Sequence, residues 1–307
     1  MVDSHTTTLF SPQSDQGFGG KCGMATVRII TDITAHIDSD LIAQHRITVL
    51  PVEIRFGDQL FRVATRDDWD RFFRHIADSP AKLAEASIPR SVLQEAYSRL
   101  TRETEEILVI PGSGSLSNSY AEARAAASSF LGRCRIAVLD SMSASWGLGL
   151  LVKAAAEAAA AGRSLDAIVR LVRGILPHIY LVFFVERLDY LERGGRISPA
   201  QALLGTMLHI KPLLFMEDGE IIPLEKVRTR AMAIEKLADF VAEFATIQEV
   251  IILKSPLESE INDLVGELRE HLSLALPGQS FPDIEYDPIL ACHLGPEALG
   301  VIVYEGF

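Results

Sequence analysis

A chain of 307 residues, 48% hydrophobic and 23% charged, can bury a large core and is long enough for two domains. Its formal net charge of -12 excludes general nucleic-acid binding, which needs basic surface to neutralise phosphates. No apolar run reaches the roughly 18 residues of a membrane span; the longest, Gly147 to Ala161, is interrupted by Lys153 and Glu157, so stable membrane insertion is not expected.

Residues 1–25 are polar and glycine-rich, without the basic start and apolar run of a secretory signal, and predict a disordered tail. Met24, just before the first strand, is a second candidate start. Cys22, Cys134 and Cys292 are widely spaced with no CxxC pair, which fits a reducing cytoplasm and offers no zinc site.

From Val27 the pattern alternates strand and helix. Val27–Ile30 predicts a strand with a polar tip at Thr31–Asp32, and Val49–Phe56 a second strand. Asp67–Ile76 predicts a helix anchored by Trp69, Phe72 and Phe73, and Ser91–Leu100 a helix with Val92, Ala96 and Leu100 at helical spacing. Ile107–Ile110 is a buried-type strand, followed by the loop PGSGSLSNS and an alanine-rich helix from Tyr120. Arg135–Leu139 repeats the theme and leads through Asp140–Ser141 into a long helix ending near Ala160. Strand, polar loop and helix in repetition predict an N-terminal α/β domain over residues 26–162, a parallel sheet with helices on both faces. Ligands of such sheets bind beyond the carboxyl ends of the strands.

Gly162 marks the expected boundary, and residues 163–307 predict a C-terminal α/β domain with a mixed sheet and helices on one face. Its elements are a helix at Leu165–Leu176, a strand at Tyr180–Val185 and a basic unit from Leu188 to Thr229. That unit reads as a helix stopped by Gly194–Gly195, a second helix opened by Ser198–Pro199, and a hairpin. The hairpin strands are Ile210–Met216 and Glu220–Lys226, turning at Asp218–Gly219. A helix at Ala231–Phe244, a strand at Val250–Lys254, a helix at Glu260–Leu274 and strands near Ile284–Ile289 and Leu299–Val303 complete the chain.

The loop Gly112–Ser119 follows a strand and opens a helix, so backbone N–H groups and hydroxyls converge where the helix dipole favours a carboxylate or phosphate. It lacks the third glycine of a dinucleotide fingerprint, the Gly-Lys-Ser/Thr of a P-loop and the G-x-S-x-G elbow. Cys292 and His293, read as neighbours on a strand, point to opposite faces and form no dyad; Cys292 reads as a small core residue. Asp32 and Asp140 read as strand-end hydrogen-bond acceptors for loops, and no metal site is expected. Arg193, Arg196, Lys226, Arg228 and Arg230 run against the acidic background, and arginine suits planar contacts to carboxylates and phosphates.

RLDYLERGGRIS, LLGTMLHIKPLL and KVRTRAMAIEKL, with TDIT, ASIPR, SGSLSNSY, LDSMSASWGLGLL and CHLGP, together resemble the signature of the DegV-like family of bacterial fatty-acid-binding proteins. The pieces come in the family's order and span Val27 to Tyr304. The resemblance implies a carrier, non-catalytic by itself, that holds one long-chain fatty acid in an apolar tunnel at the domain interface. It implies that Ser87, Ser117, Ser119 and His293 bind the fatty-acid carboxylate, and that Arg196 and Arg228 engage a separate fatty acid kinase subunit. That partner brings ATP and forms an acyl-phosphate for phospholipid synthesis in the cytoplasm; the carrier needs no cofactor beyond its lipid. The family's Ser-Ser-x-Leu-Ser-Gly-Thr-Tyr is here Ser113 to Tyr120: Ser117 keeps its place, Ser119 replaces threonine, Gly114 lacks the hydroxyl, and Asn118 suits a left-handed backbone. Of the family's Thr-Ser-Gln-Pro-Ser, Ser87 and Pro89 remain, with Ala86 at the first position. Two other readings stay open: a serine-dependent hydrolase or phosphotransfer enzyme using the 113–119 loop with His293 as base, and a lipid sensor without a kinase partner.

Overall fold

The computed structural model describes residues 27–78, 83–186, 190, 211–256 and 259–306. Apart from Tyr190, the basic unit's two helices, with Arg193, Arg196, Gly194–Gly195 and Ser198–Pro199, lie outside the described residues, as do residues 1–26.

Strands β1 (Arg28–Asp32), β2 (Thr48–Leu50), β6 (Glu106–Val109) and β7 (Arg135–Val138) form a parallel sheet in the order β2-β1-β6-β7. Ile29 and Ile30, and likewise Ile107, Leu108 and Val109, are buried although successive side chains face opposite ways. Both faces are therefore covered, which is why these strands read as continuous apolar runs. On one face lie α1 (Ser39–His45), α5 (Ser145–Ala160) and α6 (Leu165–Ile175), packing Leu148, Leu151, Val152, Leu165, Ile168 and Val172 against Ile29 and Leu108. Helix α6, though it follows Gly162, thus belongs to the helical layer of the first sheet. On the other face, α3 (Arg90–Leu100) and α4 (Ser119–Ala127) bring Leu93, Tyr97, Ala123 and Ala126 to Ile30, Ile107 and Val109.

The expected single strand Val49–Phe56 is two strands. Pro51 has no N–H to continue a ladder, and the chain leaves the parallel sheet there. It resumes as β3 (Val52–Phe56), the centre of an antiparallel sheet with β4 (Gln59–Val63) and β5 (Leu83–Ser87). Val52, Ile54 and Phe56 face inward at a two-residue period and meet Trp69, Phe72, Phe73 and Ile76 of α2 (Arg66–Asp78).

The second large sheet is mixed, in the order β10-β9-β8-β13-β11-β12, with only β11 and β12 parallel. Its strands are β8 (Ile179–Phe184), β9 (Lys211–Glu217), β10 (Glu220–Val227), β11 (Glu249–Lys254), β12 (Asp283–Glu285) and β13 (Leu299–Tyr304). Val182, Phe184, Val250, Ile252, Val301 and Val303 pack under α7 (Arg230–Ala242) and α8 (Ser259–Ala275). Their alternates Leu181, Phe183, Leu214, Met216, Ile251 and Leu253 join one continuous core with the antiparallel sheet and the inner face of the parallel sheet. Asp218 and Gly219, with φ of 48° and 82°, make the β9–β10 hairpin turn with two left-handed residues.

Residues 288–294 overturn one expectation. The strand expected through Ile289 ends at Glu285, and Pro288–Leu294 is helix α9, closed by Gly295 at φ 81°. An aspartate cap, proline at the first helical position and glycine after the last turn favour that helix. Cys292 and His293 are consequently helical neighbours rather than strand neighbours.

Candidate functional site

The order of the parallel sheet reverses between β1 and β6, so the loops leaving these strands part and open a crevice at their carboxyl ends. Asp32 fastens the two loops together. Its Oδ2 accepts the Gly112 N–H at 3.0 Å, and its Oδ1 accepts the Thr34 N–H at 2.9 Å and the Thr34 hydroxyl. Burial raises the Asp32 pKa, and these three hydrogen bonds oppose the rise without cancelling it.

Ser113 is the root of the serine-rich loop. Its N–H donates to the Ser143 carbonyl at 2.9 Å, and its carbonyl accepts from Leu116 at 3.0 Å and Ser117 at 3.1 Å. Its hydroxyl accepts the Ser115 N–H at 3.1 Å and donates at 2.7 Å to the Gly219 carbonyl on the hairpin tip of the other half. Gly114 donates its N–H to the Asp140 carboxylate at 3.1 and 3.3 Å. A Cβ at Gly114 would lie 2.6 Å from Asp140 Oδ2, so a serine here would have to displace that carboxylate. Asp32 and Asp140 thus bond loop N–H groups, and among the described residues no cluster of three potential metal ligands occurs.

Ser117 and Ser119 are buried at the start of α4. The Ser117 hydroxyl donates to the Ser119 hydroxyl at 3.1 Å, and the Ser119 hydroxyl accepts the Ile88 N–H at 3.1 Å. Asn118 donates its N–H to the Ala86 carbonyl at 2.7 Å. These two bonds grip the chain on either side of the half-buried Ser87, bringing it to the same place. Asn118 has φ -84° and ψ 4°, so the backbone there is not left-handed and asparagine in place of glycine meets no steric demand.

His293 reaches the loop from the far half. Its Nε2 lies 3.1 Å from the Leu116 carbonyl oxygen, and because a carbonyl only accepts, Nε2 carries the proton. Asp287, which the sequence reading passed over, caps the helix that carries His293: its Oδ1 accepts the Ile289 and Leu290 N–H groups at 2.9 and 3.0 Å. The Asp287–Pro288 pair was the available signal.

Arg228 is exposed between β10 and α7, with no ion pair to any described residue. Arg230, two residues on, is joined to Glu186 at 2.7 Å, and Lys211 pairs with the same carboxylate. Arg196 lies outside the described residues.

Comparison with known proteins gives one consistent answer. The family profile described as "Uncharacterised protein, DegV family" matches residues 26–306. A DegV domain-containing protein of Streptomyces coelicolor is 33% identical over 282 residues, covering 90% of this chain and 98% of that protein. A solved DegV family protein from Thermus thermophilus, described as binding fatty acid, superposes with a TM-score of 0.76 at 28% identity, over 92% of this chain and 100% of its own. DegV of Bacillus subtilis, described as a fatty acid binding protein, gives a TM-score of 0.76 at 26% identity over 91% and 99%. With a parallel sheet, a mixed sheet and a family match over nearly the whole length, this chain belongs to the DegV family.

Proposed function

We propose that this protein is a fatty-acid carrier that binds one long-chain fatty acid and presents its carboxylate to a separate kinase subunit for acyl-phosphate formation. The observation that carries the reading is convergence: Ser87, Ser117 with Ser119, and His293 come from β5, the loop before α4, and α9, and meet at one largely buried place. Hydroxyls and an imidazole suit a carboxylate whose binding rests mainly on its apolar tail. At about 0.8 kcal/mol per CH₂, burying roughly fourteen methylenes gains on the order of 11 kcal/mol before ordering costs. The solved relatives above 25% identity described as fatty-acid binding support the same ligand.

A binding role is also favoured over a nucleophilic one. His293 Nε2 is bonded to the Leu116 carbonyl and not to a serine hydroxyl, whereas an activated serine donates to its base. In this reading the carrier needs no cofactor of its own. Arg228, exposed, and Arg196 supply basic docking points for the kinase, and the use of ATP places the pair in the cytoplasm. Among the described residues no helix is long and apolar enough to cross a membrane.

Native mass spectrometry of the purified protein, followed by lipid extraction, tests the proposal. One bound fatty acid per chain is expected. Protein that is lipid-free and takes up neither labelled oleate nor labelled palmitate would overturn it.

A further inference from the structure

Asp287 has no part in the carboxylate clamp, yet it is 1% exposed and belongs to the helix that carries His293. One oxygen is used: Oδ1 accepts both cap hydrogen bonds of α9. The other, Oδ2, is fully buried and meets no hydrogen-bond partner among the described residues. An ionised oxygen in that situation is costly, and a protonated one is not.

Among the described residues, the groups facing it offer no positive charge. Asp32 on β1 acts on it as a like charge. Cys292, on α9 itself, is kept neutral by burial and by Asp287, which push its thiol well above the usual range. Helix α2 packs against α9, with Phe73 on Tyr286 just ahead of that helix, and its Arg71 and Arg74 are exposed. The Tyr286 hydroxyl bonds the Gly295 carbonyl at 2.8 Å and the Ala298 N–H at 3.3 Å. His293, in the last turn of α9, is turned to the Leu116 carbonyl. Burial, with a smaller push from Asp32, outweighs the cap hydrogen bonds and moves the Asp287 carboxyl up to about 7.

We propose that Asp287 is the positioning residue for His293 and makes fatty-acid retention proton-linked, holding the lipid better when neutral than when ionised. The inference rests on the carboxylate site proposed above. Asp287 and His293 are six residues apart on one short helix, about 9 Å along its axis. At that distance, in a desolvated region already holding Asp32, a bound carboxylate and an ionised Asp287 raise each other's pKa. Lipid binding therefore draws a proton onto Asp287, and retention weakens as pH rises through about 7.

The test is titration of wild type, Asp287→Asn and Asp287→Ser with a fluorescent long-chain fatty acid at pH 6 and pH 8. Asparagine and serine both keep a capping oxygen but do not titrate. Wild-type affinity should fall at least about threefold between the two pH values, the effect of a lipid-induced shift of about two-thirds of a unit from about 7. Both variants should change by less than about twofold, and Asp287→Ala, without the cap, should bind more weakly than either at both pH values. A flat wild-type profile, or the same slope in the Asn and Ser variants, overturns the inference while leaving the carrier reading intact. Wild type that binds at neither pH sinks the carrier reading and this inference with it. A measurement that needs no variant is the Asp287 carboxyl ¹³C resonance in wild type: bound lipid must raise its midpoint, and an unchanged midpoint overturns the proposal.

Discussion

Replacing Gly219 by alanine tests whether the hairpin tip holds the serine loop in place. Gly219 has φ 82°, and an alanine Cβ there would lie 2.5 Å from Ser113 Oγ and 3.1 Å from the Met142 Cα. Alanine in left-handed backbone costs about 1–2 kcal/mol, offset by about 0.4–1 kcal/mol from its stiffer unfolded chain. Gly132 and Gly278, with φ of 79° and 88° and nothing within 4 Å of a new Cβ, carry that backbone cost alone. Gly219→Ala adds the loss of the Ser113–Gly219 hydrogen bond, about 0.5–1.5 kcal/mol, and a displacement of Met142 backbone that a side-chain rotation does not relieve. We expect Gly132→Ala and Gly278→Ala to lose about 1 kcal/mol or less in urea unfolding, and Gly219→Ala about 2–3 kcal/mol. Because Ser113 also anchors Leu116 and Ser117, transfer of bound fatty acid to albumin should accelerate about tenfold in Gly219→Ala, equivalent to about 1.4 kcal/mol, and not in the other two. If Gly219→Ala unfolds with the controls, or loses stability while releasing lipid at the wild-type rate, the hairpin tip is not a support of the site.

Ser117→Ala with His293→Ala should weaken retention by about 1–3 kcal/mol, read from fatty-acid displacement, because a buried carboxylate loses its donors; ester or phosphoester turnover abolished by one serine substitution would favour an enzyme instead. Asp287 also predicts a pH dependence of stability. Its folded pKa of about 7 stands above the reference value of 3.8, so the folded state keeps a proton that the unfolded state releases. Stability should therefore fall as pH rises from about 4 to about 7, by on the order of 1–4 kcal/mol, and Asp287→Asn should flatten that part of a urea-midpoint profile. Arg228→Ala and Arg196→Ala should leave fold and lipid content nearly unchanged yet sharply reduce acyl-phosphate formation with a cognate kinase and ATP, with partner affinity falling as salt is added. Loss of lipid or fold in either variant, with coupling per bound lipid unchanged, would make these arginines structural.

Much of the architecture was legible because it is local. The parallel strands are buried on both faces and so appear as unbroken apolar runs, and Asp218–Gly219 marks its turn by residue type alone. What escaped depends on distant partners. Strand β5, LAEAS, has no β-branched residue; it is a strand because Ala86 pairs with Ile54 and its end is gripped by Asn118 and Ser119. The apolar run around Ile289 was read as a strand although Asp287, Pro288 and Gly295 spell a short helix. In the site, Ser117 and Ser119 stood out as hydroxyls between a buried strand and a helix, whereas His293 was reached through resemblance. The raised pKa of Asp287, unlike its capping role, was invisible because it comes from burial and from Asp32, more than 250 positions away.

Strand β10 bears on how the two proposed surfaces are divided. Its first residue, Glu220, follows the tip that touches Ser113, and its last, Val227, precedes Arg228. Eight residues, seven spacings of about 3.3 Å, separate the two ends by roughly 23 Å. Arg228 is therefore remote from the Ser113 contact and is better suited to holding a partner than to touching that end of the loop. β10 is also an edge strand, open to pairing by a visiting chain, but Pro223 and the irregular register between Pro223 and Glu225 interrupt its ladder. A partner here would read side chains rather than add a strand. Leu224 and Met232, 48% and 43% exposed, stand on β10 and α7 on either side of Arg228 in the chain. Apolar contact area combined with a cation that no described residue neutralises fits the proposed docking of an acidic partner surface, with the arginine setting its orientation and salt dependence.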